Sequence, residues 1–175
     1  MTDSESFKDI DSEQLYEIYF DRIYKFVSHR ILNKEDAEDL SAEVFMRLSE
    51  KLNSYDSTKG TLDTWVFRIT RNMITDYYRK SNVKETCSIY DFANFIKFEK
   101  RVEDSIEKQE EYEYLEKAVR TLSDKEQEII SMKFGAGLGN KEISELMDIG
   151  YSNVTVILHR AIKKIRKRLE EYYGE

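Results

Sequence analysis

The sequence predicts an all-α fold made of two small helical domains, and three observations support this. The chain has 175 residues with no proline and only 6 glycines, which favours long helices over turn-rich sheets. Apolar residues recur at spacings of three and four, as on one face of an amphipathic helix. This periodicity is lost over residues 81–111, which are rich in Lys and Glu. We therefore predict a domain over residues 1–80, a linker over 81–111 and a second domain over 112–175.

Three helices are predicted in the first domain. The first covers residues 12–32, and its apolar stripe consists of Leu15, Ile18, Tyr19, Ile23, Phe26, Val27 and Ile31. The second covers residues 36–52, and the acids in its first turn suit the positive end of the helix dipole. A polar stretch over residues 53–60 is typical of a loop, and the third helix follows over residues 61–80.

The third helix has two chemically different sides. Its apolar side carries Leu62, Trp65, Val66, Ile69, Met73 and Tyr77, and a polar side carries Arg68, Arg71, Asn72, Thr75 and Arg79. Arginine forks and an asparagine amide suit phosphates and base edges. Trp65, with Tyr77 and Tyr78 nearby, suits stacking on unpaired bases. On these residues alone, an ordinary solvated helix with Trp65 in the core stays an open alternative.

The second domain is predicted to end in a helix-turn-helix. Helices are expected over about residues 112–121, 124–134, 141–147 and 152–172, and Gly150 lies in the turn between the last two. In such a motif one helix braces the DNA backbone and the next enters the major groove. The final helix is rich in cations, as expected of a groove-binding helix.

The charge distribution predicts a local site for nucleic acid. The chain has a net charge of −7, which disfavours non-specific binding of nucleic acid by the whole surface. Residues 154–175 nevertheless hold 6 Lys/Arg against 3 Asp/Glu, and residues 61–80 hold 4 against 2. Each positive island is also compatible with a solvated helix face.

Several classes of protein are disfavoured by the sequence. The two histidines, His29 and His159, have no metal-ligand spacing to Cys, Asp or Glu, so we expect no metal, no cofactor and no enzyme. The segment 135–139 has the glycines of a phosphate loop but lacks its strand and its Lys-Ser/Thr pair, so we interpret it as a turn. No signal peptide or membrane-length apolar run is present, and the lone Cys87 fits a reducing cytoplasm.

Several motifs together resemble bacterial RNA polymerase sigma factors, of the extracytoplasmic-function (group IV) class. The segment 64–80, with Trp, Arg-Asn, Asp and Arg at characteristic intervals, resembles sigma region 2. Residues 36–45 resemble the segment that binds the polymerase clamp, and residues 122–130 and 158–161 resemble region 4. The resemblance covers roughly residues 12–80 and 115–170.

The resemblance implies a region 2-like helical bundle and a region 4-like helix-turn-helix in a protein that binds core RNA polymerase and directs promoter-specific transcription initiation. Region 4 of such proteins reads the −35 element as duplex DNA. Region 2 reads the −10 element and captures an extruded base in the loop before the third helix. Many relatives are held inactive by an anti-sigma factor, so a partner of that kind is also implied.

Site residues follow from the same resemblance. For the −10 element they are Tyr55, Asp56, Ser57, Thr58, Lys59, Trp65, Arg68, Arg71, Asn72 and Arg79. For the −35 element they are Lys141, Ser152, Asn153, Thr155, Val156, Arg160 and Lys163. For core polymerase they are Asp39, Ala42, Glu43 and Met46, while Phe45 fits either the core or the interface.

Two departures from the family pattern concern the recognition helix. Thr155 stands where Lys is usual and Ile157 where Arg is usual, so two cationic contacts with DNA are missing. Ile157 fits either a DNA-facing or a protein-facing position. The polymerase segment departs as well, because Ala42 replaces a frequent Gln. Two alternatives therefore stay open: a stand-alone helix-turn-helix regulator, and a degenerate sigma-like interaction protein.

Overall fold

The computed structural model describes residues 10–31, 33–81, 114–115 and 117–173, and no strand occurs within these ranges. Its helices in chain order are α1 (Ser12–Arg30), α2 (Lys34–Lys51), α3 (Leu62–Ser81), α4 (Asp124–Ile130), α5 (Asn140–Met147) and α6 (Tyr151–Tyr173). A 3-10 turn, Leu52–Ser54, follows α2, and residues 114–115 and 117–120 are also helical. The predicted all-α fold is confirmed. Most of the predicted linker, including Cys87, lies outside the described residues.

Side-chain caps explain where the N-terminal helices begin. The Asp11 carboxylate accepts a hydrogen bond from the Gln14 N–H at 2.8 Å, and the Gln14 side-chain oxygen accepts one from the Asp11 N–H at 3.2 Å. Asn33 caps α2 by accepting from the Asp36 N–H at 3.1 Å. Thr61 accepts from the Thr64 N–H at 3.2 Å at the start of α3. The break predicted near residue 33 is therefore the start signal of α2.

The first three helices pack around aromatic and aliphatic side chains. Phe26 of α1 meets Phe67 of α3 edge to face, with ring centroids 5.7 Å apart. Leu15, Ile23 and most of the predicted apolar stripe of α1 are buried. Ile18 is an exception, because its side chain is 47% exposed. The stripe prediction was wrong there because α1 carries apolar residues on more than one side, and spacing alone does not choose between them.

A network of hydrogen bonds among partly buried side chains joins α1 to α3. The Arg22 guanidinium donates to both Asp63 carboxylate oxygens at 2.9 Å, and the Tyr19 hydroxyl donates to Asp63 at 2.5 Å. Burial of the Asp63 carboxyl opposes its ionisation, but the hydrogen bonds from Arg22 and Tyr19 outweigh this and lower its pKa. Burial and the Asp63 carboxylate together raise the pKa of Tyr19. Asp63 is therefore held as an anion at the start of α3.

The C-terminal half contains a departure from the predicted α-helix over residues 124–134. Ser123 and Glu126 form a capping box at the start of α4, but the helix widens into a π-helical segment over Ser131–Gly135. Gly135 allows a close approach there, since a Cβ at this position would lie 2.7 Å from Nδ1 of His29. The spacing of apolar residues does not reveal a helix that is widened by one residue, so the sequence did not predict the π-helical segment.

The helix-turn-helix predicted from the sequence is present in α5 and α6. Helix α5 ends at Met147 and is capped by Asp148, whose φ of 52° lies in the left-handed region. The Ser144 hydroxyl donates to the Ile149 carbonyl at 2.5 Å and closes the turn. On α6 the buried residues are Val154, Leu158, Ala161 and Ile165, at spacings of three and four. This stripe fixes α6 against the rest of the C-terminal half.

The two halves pack against each other. Buried apolar side chains from both belong to one cluster. Arg22 of α1 also donates from Nε to the Ala136 carbonyl at 2.8 Å, just after the π-helical segment. Arg71 of α3 binds Glu128 of α4, with Nε and Oε1 2.8 Å apart. Of the helices that the structure describes, none combines the length and apolarity needed to cross a membrane.

Replacing Asp63 with Asn is expected to lower the free energy of unfolding at neutral pH by about 1–3 kcal/mol, because the charged partner of Arg22 is lost. The pKa of Asp63 is lowered in the folded chain from an unperturbed value of 3.8. Its stabilising contribution is therefore complete above about pH 3.8 and disappears as the pH falls through the folded value. Chemical denaturation of both proteins between pH 7 and pH 3 measures this convergence, with the exposed Asp21→Asn as control. A difference that does not change with pH would contradict the ionic role of Asp63.

Candidate nucleic-acid and polymerase interfaces

The loop before α3 is ordered by its own side chains. Asp56 accepts hydrogen bonds from the Thr58 N–H at 3.0 Å and the Thr58 hydroxyl at 2.6 Å, and Lys59 lies 3.3 Å away. These hydrogen bonds from Thr58 lower the pKa of Asp56. Ser57, Thr58 and Lys59 are exposed. The loop therefore presents polar groups to solvent in a defined conformation.

An open cavity of about 390 Å³ lies beside this loop. Its lining consists of Ile10, Leu52, Asn53, Tyr55, Asp56, Ser57 and Thr58. The Tyr55 ring packs 5.6 Å from the Trp65 ring, and its hydroxyl donates to the Gly60 carbonyl at 3.3 Å. Burial and the nearby Asp56 carboxylate raise the pKa of Tyr55, so its hydroxyl stays protonated. A flat polar group can enter the cavity against an aromatic wall that Trp65 supports from behind.

The polar side of α3 is only partly free to meet a ligand. Arg68, Asn72 and Arg79 are exposed, although Arg79 pairs with Asp76 at 3.0 Å. Arg71 is engaged instead, since it binds both Glu128 oxygens and donates to the Leu146 carbonyl at 3.3 Å. The sequence did not predict this contact, because Glu128 lies 57 positions away along the chain.

The first turns of α6 form an exposed surface. All predicted −35 residues are exposed, namely Lys141, Ser152, Asn153, Thr155, Val156, Arg160 and Lys163. The Thr155 hydroxyl donates to the Tyr151 carbonyl at 3.3 Å and accepts from the Asn140 amide at 3.2 Å. Ile157 is partly buried and packs against the apolar cluster. The side chain at position 157 therefore supports the domain, whereas position 155 faces solvent.

A stripe on α2 matches the predicted polymerase-binding residues. Asp39, Ala42, Glu43 and Met46 are spaced by three and four and are all exposed, and Met46 is exposed to 65%. An exposed apolar thioether that follows two acids on the same stripe is typical of a protein-binding face.

Aromatic residues that the sequence analysis missed extend this face. Tyr16 and Phe20 of α1 are exposed, and their ring centroids lie 4.8 Å and 6.1 Å from Phe45 of α2. Phe45 is only partly buried, so it belongs to both the packing and the surface. The available signal was the excess of apolar residues on α1 beyond one buried stripe.

Metal binding finds no support in the described part of the chain. No group of three or more His, Cys, Asp or Glu side chains there is arranged to hold an ion. His159 is exposed, whereas His29 is buried against Gly135.

Comparison with known proteins agrees with the two-part arrangement. The family described as Sigma-70 region 2 matches residues 15–83, and the family described as Sigma-70, region 4 matches residues 112–165. The ECF RNA polymerase sigma factor SigM of Bacillus subtilis is 31% identical over 162 residues, covering 93% of this chain and 94% of SigM. The ECF RNA polymerase sigma factor BldN of Streptomyces coelicolor is 25% identical over 158 residues, covering 90% of this chain but only 60% of BldN.

Solved structures share the fold. The sigma factor RpoE from Bartonella quintana, crystallised with the anti-sigma factor NepR, superposes with a TM-score of 0.67 at 18% identity, covering 90% of this chain and 96% of RpoE. CnrH, in complex with the cytosolic domain of CnrY, superposes with a TM-score of 0.64 at 18% identity, covering 91% of this chain and 88% of CnrH. SigM is matched along nearly its whole length, and both sigma-70 regions occur in order, so this chain belongs to the ECF class of RNA polymerase sigma factors.

Proposed function

We propose that this chain binds core RNA polymerase in the cytoplasm and directs promoter-specific transcription initiation, as a binding protein without catalysis of its own. The observation that carries the proposal is that one chain presents two different surfaces suited to DNA. One is the cavity and polar side chains at the start of α3, and the other is the exposed beginning of α6. A stand-alone helix-turn-helix regulator needs only the second surface.

The −35 element is proposed to be read by α6. Ser152 and Asn153 are exposed at the start of this helix, where recognition helices contact base edges. Val156 is exposed and suits contact with thymine methyl groups. Arg160 and Lys163 follow and suit phosphates. With Thr155 in place of a cation, the affinity of this surface rests more on shape and apolar contact than on charge.

The −10 element is proposed to be read by α3 and its preceding loop. Extruding a base costs a few kcal/mol, which stacking and hydrogen bonds have to recover. The cavity offers the Tyr55 ring for stacking and the Asp56, Ser57 and Thr58 side chains as polar partners. Arg68 and Asn72 are exposed on the adjoining helix, where they suit phosphates and base edges.

Core polymerase is proposed to bind α2 and the adjoining part of α1. The surface combines the Asp39 and Glu43 carboxylates with Met46 and the exposed rings of Tyr16 and Phe20. Apolar anchors flanked by charges are the usual composition of a protein interface. An anti-sigma factor is proposed as a further partner, because two structures with this fold are complexes with such a protein or with a cytosolic domain.

The direct test is run-off transcription with purified core polymerase on genomic fragments, with start sites mapped. Co-purification of the chain with core polymerase is measured in parallel. Specific start sites that appear only when the chain is added are the expected result. DNA binding without any association with core polymerase would instead favour a stand-alone regulator, and association with polymerase without specific initiation would favour a degenerate interaction protein.

Changing Asn72 to Ala is expected to reduce promoter discrimination at the −10 element by about 1–3 kcal/mol, the range for one good base contact. Asn72 is exposed on α3, so the change should leave folding intact. Transcription from a panel of −10 variants measures the discrimination, with exposed Ser49→Ala on α2 as control. Unchanged preferences in the Asn72 variant would remove it from the reading surface.

Changing Asp39 to Arg is expected to weaken holoenzyme assembly at least tenfold without altering helicity. Asp39 is exposed on α2, so reversal of its charge acts on a partner surface rather than on the core. Titration of fluorescent core polymerase measures the affinity, and circular dichroism checks the fold. Asp21→Arg, an equal charge change at an exposed position of α1, is the matched control and should bind as the parent does. Equal loss in both variants would indicate a non-specific effect of charge.

Changing Thr155 to Lys is expected to tighten holoenzyme binding to −35 DNA and to steepen its salt dependence. Because position 155 is exposed, the new cation adds about one phosphate contact and raises the slope of log K against log[salt] by about 0.9. Thr155→Gln controls for side-chain length without charge. Ile157→Arg should instead lower the midpoint of thermal unfolding, because Ile157 packs against the apolar cluster. A salt slope that Thr155→Lys leaves unchanged would mean that position 155 does not face the backbone.

A further inference from the structure

The polar side of α3 is partly covered by the C-terminal half of the same chain. The contact centres on Arg71, whose Nε and Nη2 donate to the two Glu128 oxygens at 2.8 Å and 3.4 Å. The remaining terminal nitrogen, Nη1, donates to the Leu146 carbonyl at 3.3 Å. A guanidinium presents one planar fork, so Arg71 cannot hold Glu128 and a phosphate or base edge in the same geometry.

Glu128 is placed to hold this contact firmly. Its side chain is 15% exposed, and it also lies 3.7 Å from Arg30 of α1, whose side chain is 5% exposed. A carboxylate removed from water and flanked by two cations is screened less by salt than a surface pair. Separation of the halves has to leave two cations without this carboxylate, which makes opening costly until a new partner compensates.

Further contacts spread the interface along α1 and α3. The Thr64 hydroxyl donates to Glu145 of α5 at 3.2 Å, and Arg22 donates to the Ala136 carbonyl at 2.8 Å. Thr64 and Arg71 are seven positions apart, so they lie on the same side of α3. Two helices of the C-terminal half, α4 and α5, therefore hold the side of α3 that carries Arg71.

We propose that Glu128 and Arg71 form an autoinhibitory latch, which closes the C-terminal half over the −10 reading helix in the free chain. The proposal rests on the function proposed above. Binding to core polymerase has to separate the halves before Arg71 meets promoter DNA. The free chain then binds DNA weakly because its open form is scarce, in addition to the missing cations of α6. The apparent dissociation constant rises in proportion as the competent fraction falls.

The latch is tested in the full-length chain with Glu128→Gln. The matched control is Glu126→Gln on the same helix, which makes the same change of charge but affects a bond to Lys164 within the C-terminal half. Spin labels are attached to cysteines introduced by Glu50→Cys and Glu170→Cys, in a chain that also carries Cys87→Ser. Pulsed electron paramagnetic resonance then measures the distance between the two halves. Binding of a fluorescent mixed-sequence 20-nucleotide single strand reports access to α3.

The expected result is a longer distance and roughly tenfold tighter binding of the strand for Glu128→Gln, with neither change for Glu126→Gln. Arg71→Gln added to Glu128→Gln should remove the gain in affinity for the strand, because the guanidinium released from Glu128 is the group that binds it. An unchanged distance, or a longer distance without tighter binding, overturns the latch. If Glu128→Gln lowers helicity, Arg71→Gln takes its place, because it removes the same contact from the α3 side, and an unchanged distance in that variant overturns the proposal equally.

Transcription assays with core polymerase distinguish a failure of the latch from a failure of the proposed function. A chain that initiates transcription normally but shows none of these changes has the proposed function and lacks the latch. If the chain fails to initiate transcription with core polymerase, while Glu128→Gln still separates its halves, then the latch exists but the proposed function is wrong.

Discussion

The fold depends on the way Arg22 uses its whole guanidinium. Two nitrogens hold the Asp63 carboxylate at 2.9 Å, Nε holds the Ala136 carbonyl at 2.8 Å, and the flat group lies 5.1 Å and 5.2 Å from the centroids of the Tyr19 and Phe67 rings. One side chain thus connects α1, the first turn of α3 and the C-terminal half. Lysine has neither the fork nor the flat face, so it cannot replace these contacts. The orientation of α3, and with it the surface proposed to read the −10 element, follows from these contacts of Arg22.

The sequence predicted the helices well, because apolar spacing and capping residues act locally. Ser123 and Glu126 mark the start of α4, and the cap at Asn33 marks the start of α2, as their side-chain chemistry requires. The widened segment after α4 ends at Gly135, which lies against His29, a residue far away in the chain. Periodicity carries no information on such contacts, and it also cannot tell an interior stripe from a binding stripe on α1.

The candidate sites also divide into features that follow from local helix geometry and features that depend on contacts between distant residues. Exposure of the start of α6 and of the α2 stripe follows from helix geometry, so the residues predicted there are found at the surface. The polar side of the third helix and the family resemblance both singled out Arg71, but neither predicted its partner Glu128. Glu128 lies two positions after the capping residue Glu126, and it contacts Arg71 of α3 only because the two halves pack together. A chain with a net charge of −7 thus pairs one cation of its proposed −10 surface internally, and in the proposed latch this pairing lowers stray association with nucleic acid.

Hydrogen bonds from α3 hold together the helices that carry the proposed polymerase-binding and promoter-reading surfaces. The Tyr77 hydroxyl of α3 donates to the Asp36 carboxylate at the start of α2 at 2.6 Å, and the Tyr78 hydroxyl donates to the Arg30 carbonyl at the end of α1. The hydrogen bond to Asp36 raises the pKa of Tyr77 to about 12, so this donor keeps its proton at any physiological pH. A partner that binds α2 is therefore also held in a fixed orientation relative to α3. The C-terminal half is attached to the same block by buried apolar side chains and by polar contacts at Arg22, Thr64 and Arg71, and of these the polar contacts can take new partners when the halves separate. The N-terminal helices are thus built to act as one rigid unit, and the boundary between the halves is where the chain can open.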